Sequence, residues 1–282
     1  MRTDSTRFLR RALLVLAAGL ALASCAKDKK ELTYVARDVE TLYNLGADTL
    51  AKGQYRQAAM LFDEVERQHP YSVWARRAQL MSAFSYYQAN RYQEAILAAQ
   101  RFLSLHPGNR DAPYAYYLIA LSYYEQISDV GRDQKVTEQA LQSLNELTRR
   151  YPNTSYATDA RLKIDLTRDH LAGKEMEIGR WYQSRHEFLA ATLRFRSVIE
   201  RYETTTHVPE ALHRMVECYL ELGMREEAKR SAAVLGHNYP GSKWYERSYA
   251  LMNRLKPVAT AQLPAPTTAP AEPAGQPDKA GG

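Results

Sequence analysis

The pattern of small, apolar and helix-breaking positions repeats along the middle of the chain. In four copies an alanine is followed twelve positions later by a proline: Ala58 and Pro70, Ala95 and Pro107, Ala140 and Pro152, Ala228 and Pro240. A fifth copy begins at Ala191 and carries Glu203 in place of the proline. Because alanine lets two helices approach closely and proline cannot continue a helix, each copy predicts the second helix of a helical hairpin.

The turn inside each predicted hairpin should lie five residues before the alanine. The residues at this position are Gly53, Asn90, Lys135, His186 and Gly223. Glycine and asparagine tolerate the left-handed backbone conformation that ends many helices. The two glycines and Asn90 therefore support a tight turn between two helices in their units.

The hairpins predict an all-α solenoid of the tetratricopeptide (TPR) type. Unit one adds Leu45-Gly46 and Phe62, as in the TPR pattern, and Tyr86 and Tyr219 take the aromatic position of units two and five. We predict five repeats, 36–70, 71–107, 108–152, 153–203 and 204–240, and a closing helix over 242–255. Units three and four exceed the standard length of about 34 residues. The excess predicts a loop from Ile127 to Gln134 and a long helix from Ser155 to about Ser184.

Both ends of the chain differ in composition from the repeats. Residues 1–24 have a basic start, an apolar run over 12–22 and small residues before Cys25, which is typical of an export signal. Leu22-Ala23-Ser24-Cys25 resembles the lipobox of bacterial lipoproteins. It predicts cleavage before Cys25, lipid attachment to Cys25 and a linker over 25–35. The Pro- and Ala-rich residues 256–282 should stay disordered, because they offer little apolar surface to bury.

Charge and motifs give no support to a catalytic, metal-binding or nucleic-acid-binding function. Four arginines and one aspartate lie in residues 1–24, so the net charge falls from +6 to +3 in the mature chain. Cys218 lies in an apolar helical stretch and should be an inert core residue. His186-Glu187 has no second histidine four positions later, and phosphate-binding loops and nucleophile elbows are absent from the sequence. We expect a protein-binding scaffold with no cofactor, and not an enzyme.

Tyrosine is unusually frequent, with 20 in the chain, and several stand in pairs such as Tyr86-Tyr87 and Tyr116-Tyr117. Neighbours on a helix point about 100° apart, so one of each pair can pack while the other reaches a groove. A groove with aromatic, polar-tipped walls suits peptide binding.

Three segments resemble the BamD/ComL family of lipoproteins of the outer-membrane β-barrel assembly machinery, over roughly residues 25–255. These segments are 69–80 (HPYSVWARRAQL), 132–134 (RDQ) and 151–160 (YPNTSYATDA). The resemblance implies an outer-membrane lipoprotein that faces the periplasm. Its partners would be the barrel-forming subunit, other lipoproteins of the complex and unfolded outer-membrane protein precursors.

The resemblance also implies candidate binding residues. Arg194 would pair with a carboxylate of the barrel-forming subunit, with Arg196 as the rival if the register differs. Tyr71, Trp74 and Tyr87 would contact precursors, although Trp74 also suits packing between repeats. The alternative function is a lipidated TPR pilotin, or another periplasmic TPR adaptor of a secretion or cell-envelope complex.

Overall fold

The computed structural model describes residues 38–254, which form eleven α-helices and no strand. The helices are α1 Val39–Ala51, α2 Tyr55–Gln68, α3 Val73–Gln88, α4 Tyr92–Leu105, α5 Ala112–Tyr124, α6 Lys135–Arg150, α7 Ser155–Ser184, α8 Phe188–Arg201, α9 Val208–Glu221, α10 Arg225–Asn238 and α11 Lys243–Arg254. Each helix packs on the next one, as in a solenoid of hairpins closed by a final helix. The prediction of an all-α TPR-like fold is therefore confirmed.

The alanines of the sequence pattern lie where paired helices are closest. All five are fully buried on the second helix of their hairpin, in α2, α4, α6, α8 and α10. Two turns further on, each of these helices carries a second buried apolar residue, and these are Val65, Phe102, Leu147, Val198 and Leu235. The two positions form the apolar stripe that each second helix turns toward its neighbours.

The predicted turn position is confirmed in four of the five units, and the predicted turn chemistry in the three with glycine or asparagine. Gly53, Asn90, His186 and Gly223 have φ values of 73°, 56°, 62° and 75°, which is the left-handed region. Lys135 does not lie in such a turn and is the first residue of α6. The longer connection before α6 removes the need for a tight turn there, so the prediction for Lys135 was wrong.

The two enlargements of the repeat contact each other. The long helix α7 spans Ser155–Ser184, as predicted, and the loop before α6 lies against its middle. Lys174 Nζ donates to the carbonyl oxygen of Gly131 at 3.2 Å. Within the loop, the Gln134 side-chain amide donates to the carbonyls of Arg132 and Val130 at 2.9 and 3.2 Å. The loop is thus held by its own glutamine and by α7.

Units one and two are joined by a polar network around Asp63 of α2. Its carboxylate accepts hydrogen bonds from Ser82 Oγ at 2.5 Å and from the Tyr86 hydroxyl at 2.7 Å, both on α3. Arg101 of α4 lies 3.0 Å from Glu66 and 3.6 Å from Asp63. Burial and the bond to Asp63 raise the pKa of Tyr86 far above its usual value. The network fixes the register of three consecutive helices.

We expect Asp63→Ala to lower the free energy of unfolding by about 2 kcal/mol, because the Ser82 and Tyr86 hydroxyls then lack an acceptor. Urea denaturation followed by circular dichroism measures the change. Glu94→Ala is the control, since Glu94 pairs with Arg91 on the exposed face of α4 and should cost less than about 1 kcal/mol. Equal effects of the two substitutions would contradict this role for Asp63.

Candidate functional site

The first helices of units one to four line one face of the solenoid. Contacts join α1 to α3, α3 to α5 and α5 to α7, whereas comparable contacts between successive second helices are absent from the described part of the chain. The solenoid therefore curves around the first helices, and their outward side chains form a concave face. In TPR-like arrays such a face is the extended binding surface.

A tyrosine cluster lies on this face where units two, three and four meet. We define it as Tyr87 of α3, Tyr114 and Tyr117 of α5, and Tyr156 of α7. The ring centroid of Tyr156 lies 5.5 Å from that of Tyr114 and 5.1 Å from that of Tyr117. Such tilted contacts between aromatic rings stabilise packing across the repeat boundary.

Carboxylates orient two hydroxyls of the tyrosine cluster. The Tyr117 hydroxyl donates to Asp159 Oδ2 at 2.7 Å, and the Tyr87 hydroxyl donates to Glu125 Oε1 at 3.5 Å. Burial raises the pKa of Tyr87 and of Tyr114 to about 12, and burial with the bond to Asp159 raises that of Tyr117 further. All three phenols are therefore neutral at physiological pH.

A cavity of about 570 Å³ opens on the concave side near the N-terminal end. Its aromatic and aliphatic lining comes from Tyr43, Leu80, Met81 and Tyr114, and its basic lining comes from Arg76, Arg77 and Arg110. Tyr114 belongs both to this cavity and to the tyrosine cluster. The cavity and the cluster therefore form one surface across the first four units.

The structure does not bring the three predicted precursor-binding residues together. Tyr71 is fully exposed in the turn before α3, whereas Tyr87 lies in the last turn of α3. Their separation of 16 residues corresponds to about 24 Å along a helix axis. Trp74 is half-buried, with its ring 4.8 Å from that of Tyr43. Only Tyr87 belongs to the tyrosine cluster.

Arg194 lies on α8 with 43% of its side chain exposed, and Nη1 is 3.3 Å from Glu175 Oε2 on α7. Arg196 instead donates to the Tyr219 hydroxyl of α9 at 2.9 Å. Both arginines therefore have a partner within the chain. The ion pair of Arg194 is partly open to solvent, so a competing carboxylate could reach it.

Exposed apolar side chains lie on the same two helices as Arg194 and its partner Glu175. Leu189 and Leu193 are 66% and 57% exposed on α8, and Trp181 near the end of α7 is half-exposed. The guanidinium of Arg185 lies 4.1 Å from the Trp181 ring centroid. We call this group, with Arg194, the unit-four surface. Apolar anchors beside an arginine are typical of protein interfaces.

The described residues 38–254 contain no cluster of histidine, cysteine or acidic residues suited to a metal ion. Cys218 is fully buried, and burial raises its thiol pKa to about 11, so the prediction of a core cysteine is confirmed. None of the described helices combines the length and the apolar character needed to cross a bilayer. The predicted lipidation site Cys25 lies outside the described residues.

Sequence reasoning missed most of the concave surface. Tyr43, Tyr114 and Tyr156 were not singled out, although each lies on a first helix, as Tyr87 does. Their positions within the repeat would have grouped them on one face. The exposed Leu189 and Leu193 were also missed, and their spacing of four residues on α8 was the available signal.

Comparison with known proteins identifies the family. The profile of the outer membrane lipoprotein family YfiO matches residues 35–235. The chain belongs to this family. Curated relatives named outer membrane protein assembly factor BamD include that of Caulobacter vibrioides, 57% identical over 86% of this chain and 79% of the relative. That of Rickettsia prowazekii is 48% identical over 87% and 96%, and that of Neisseria meningitidis serogroup A is 32% identical over 86% and 96%.

The likeness to YfiO (BamD) proteins spans the repeats, including the tyrosine cluster and the unit-four surface. The resemblance drawn from the three sequence segments is confirmed, and with it the association with the outer membrane. Among solved structures, a thermophilic TPR protein of Thermus thermophilus is 20% identical over 77% of this chain and 100% of its own, with a TM-score of 0.36.

Proposed function

We propose that the protein is a non-catalytic scaffold for assembly of outer-membrane β-barrel proteins, held at the periplasmic face of the outer membrane by lipid on Cys25. Membership of the BamD family and the relatives' name as assembly factors support the assembly role. The lipobox at residues 22–25 supports the anchor. The stacked hairpins with two exposed binding surfaces suit a scaffold that holds other proteins.

The unit-four surface would bind the barrel-forming subunit, with other lipoproteins of the complex as further partners. The observation that carries this proposal is the exposed apolar pair Leu189 and Leu193 beside the solvent-accessible Arg194. An interface needs a desolvated apolar centre, and a charged group beside it adds specificity. A carboxylate of the subunit would replace or share Glu175 as the partner of Arg194.

The concave surface would bind unfolded barrel precursors. An extended strand exposes alternating side chains and unpaired backbone groups. The half-buried rings of the tyrosine cluster and the cavity beside it offer flat apolar contacts. The oriented phenols offer polar contacts. We assign Tyr87 to this surface with Trp74 at its edge, whereas Tyr71 lies outside the cavity and the tyrosine cluster.

The test of the unit-four surface is Arg194→Glu in the full-length, membrane-inserted protein. We expect recovery of the barrel-forming subunit after detergent extraction to fall more than tenfold, because the new carboxylate repels both Glu175 and the partner's acidic group. Leu193→Asp should have a similar effect through the apolar part of the surface.

Arg196→Glu is the matched control on the same helix, since Arg196 is bonded to Tyr219. It should leave recovery within about twofold of wild type. Circular dichroism of each variant checks that the fold is intact. Unchanged recovery with folded Arg194→Glu and Leu193→Asp would remove the surface from the interface. Recovery of a secretin instead of a barrel-forming subunit would favour the pilotin alternative.

A further inference from the structure

The turn between α2 and α3 differs from the equivalent turns of the other units. Tyr71 follows the unit-ending proline and is fully exposed, and Val73, two residues later, is 60% exposed. The residues that correspond to Tyr71 in units two to five are Gly108, Asn153, Thr204 and Gly241. Those that correspond to Val73 are Arg110, Ser155, Thr206 and Lys243. An aromatic and an aliphatic side chain thus stand in solvent only at the first of five equivalent turns.

Two arginines follow these apolar residues in the first turn of α3. Arg76 and Arg77 are both exposed, and the described residues provide no carboxylate within ion-pair distance of either. The Arg77 guanidinium lies 5.6 Å from the Trp74 ring centroid. Val73 and Arg77 are four residues apart on α3, so they share one face of the helix. The turn therefore presents apolar tips together with two arginines that make no ion pair within the described residues; the nearby Asp111, which lines the same cavity, pairs with Arg110.

This turn lies at the same edge of the solenoid as the start of the first helix. Tyr43, in the second turn of α1, packs on Trp74 at the start of α3. Alternate helices of a hairpin array run in the same direction, so the first residues of α1 and α3 share one edge. The chain reaches Asp38 from Cys25 through residues 26–37, which can span at most about 40 Å. The turn is therefore close to the point at which the proposed anchor enters the fold.

We propose that Tyr71, Val73, Arg76 and Arg77 dock the first repeat on the anionic phospholipid surface of the membrane that holds the anchor. Tyrosine is enriched at membrane interfaces because its ring is apolar and its hydroxyl is polar. Arginines near an anionic surface each contribute about fivefold to binding. The contact orients the solenoid, with this edge toward the bilayer and the α1–α2 turn away from it. It rests on the lipid anchor of the proposed function, and it is separate from the unit-four surface.

The affinity of this contact alone would be low, but the anchor supplies a high local concentration of lipid. A weak patch on a tethered protein therefore changes the orientation of the protein more than its attachment. An extended peptide with a free carboxylate is the other ligand that Arg76 and Arg77 could bind through the cavity. The exposure of Tyr71 and Val73, neither of which lines that cavity, favours the membrane.

The test uses the lipidated full-length chain in vesicles that carry a lipid-attached quencher. A fluorophore is placed at Gly108→Cys, in the equivalent turn of unit two at the same edge, and, in a second protein, at Lys52→Cys in the α1–α2 turn; Cys218 is buried and should not react. In vesicles with phosphatidylglycerol, quenching at position 108 should exceed that at position 52 about fivefold. In phosphatidylcholine alone the ratio should approach one.

Arg76→Gln with Arg77→Gln should lower the ratio of docked to undocked protein about 25-fold and bring the quenching ratio close to one. Arg225→Gln, on an exposed arginine at the start of α10, is the control and should change nothing. Equal quenching at both positions in anionic vesicles would overturn the proposal. A quenching ratio that stays the same after both arginines are replaced would also overturn it. This includes the case in which the replacements weaken binding of a strand peptide instead.

Recovery of the barrel-forming subunit with Arg76→Gln and Arg77→Gln should equal that of wild type. In this variant, loss of the quenching difference with intact recovery supports the membrane contact and separates it from the unit-four surface. Equal quenching at both positions in the protein with both arginines, with intact recovery, would overturn the membrane contact and leave the proposed function in place. If Arg194→Glu lowers recovery of the barrel-forming subunit and leaves the quenching difference intact, both the unit-four interface and the membrane contact are supported.

Discussion

Gly179→Ala is expected to lower the free energy of unfolding by about 3 kcal/mol, although alanine is the better helix former by about 1 kcal/mol. A methyl group at this position of α7 would lie 2.4 Å from Cε1 of Phe195, which is fully buried in α8. The ring cannot move away without displacing the core of the fourth hairpin. Thermal unfolding should shift down by about 6–12 °C for a domain of this size.

Gly173→Ala on the same helix is the matched control. Its new methyl group would meet nothing closer than His207 Nε2 at 3.4 Å, so stability should stay within about 1 kcal/mol of wild type. Phe195→Leu in the Gly179→Ala background should restore part of the loss by removing the ring edge. A Gly179→Ala protein as stable as Gly173→Ala would show that the two helices are not packed this closely.

The contact between Gly179 and Phe195 is the one that the TPR pattern anticipated in another unit. In unit one, Gly46 and Phe62 are also 16 residues apart, and a methyl group on Gly46 would lie 2.9 Å from the Phe62 ring. The glycine and the ring are thus complementary parts of one contact. Sequence reasoning found the pair where Leu45 preceded the glycine, and missed it in the long helix α7.

The fold could be predicted because its determinants are local. An alanine, a turn residue and a proline at fixed spacing specify a hairpin without knowledge of its neighbours. The prediction of a turn at Lys135 was wrong because the enlarged third unit has a longer connection before α6. A lysine at that position does not indicate such a change. The bond between Asp63 and Tyr86 joins residues 23 apart on different helices, so it depends on helix register, which no short motif records.

The candidate surfaces were less predictable because they depend on which residues share a face. Tyr71, Trp74 and Tyr87 were chosen because an extended apolar and aromatic strand needs flat aromatic surface and hydrogen-bond donors. The helix α3 separates the first from the last and half-buries Trp74 against Tyr43. Arg194 was placed on a second helix, as the resemblance implied, but its pairing with Glu175 required the packing of α7 on α8.

The tyrosine cluster should make the protein sensitive to alkaline pH. Tyr87 and Tyr114 have a pKa of about 12 in the folded chain and about 10 when unfolded. Below pH 10 both states are neutral and the cluster adds no pH dependence. Above pH 10 the unfolded phenols ionise while the folded ones do not, so stability falls until the pH passes the folded pKa.

The loss should reach about 2 kcal/mol near pH 12 for these two tyrosines, after a discount for their partial exposure. Tyr86 and Tyr117, raised further by Asp63 and Asp159, extend the loss in the same direction. Urea denaturation across this pH range, with ultraviolet absorbance to follow tyrosinate, measures both quantities. Tyr114→Phe should flatten the curve, whereas Tyr249→Phe, at an exposed position on α11, should not. A wild-type stability that is constant from pH 10 to pH 12 would mean that the cluster phenols are open to solvent and free to ionise in the folded protein.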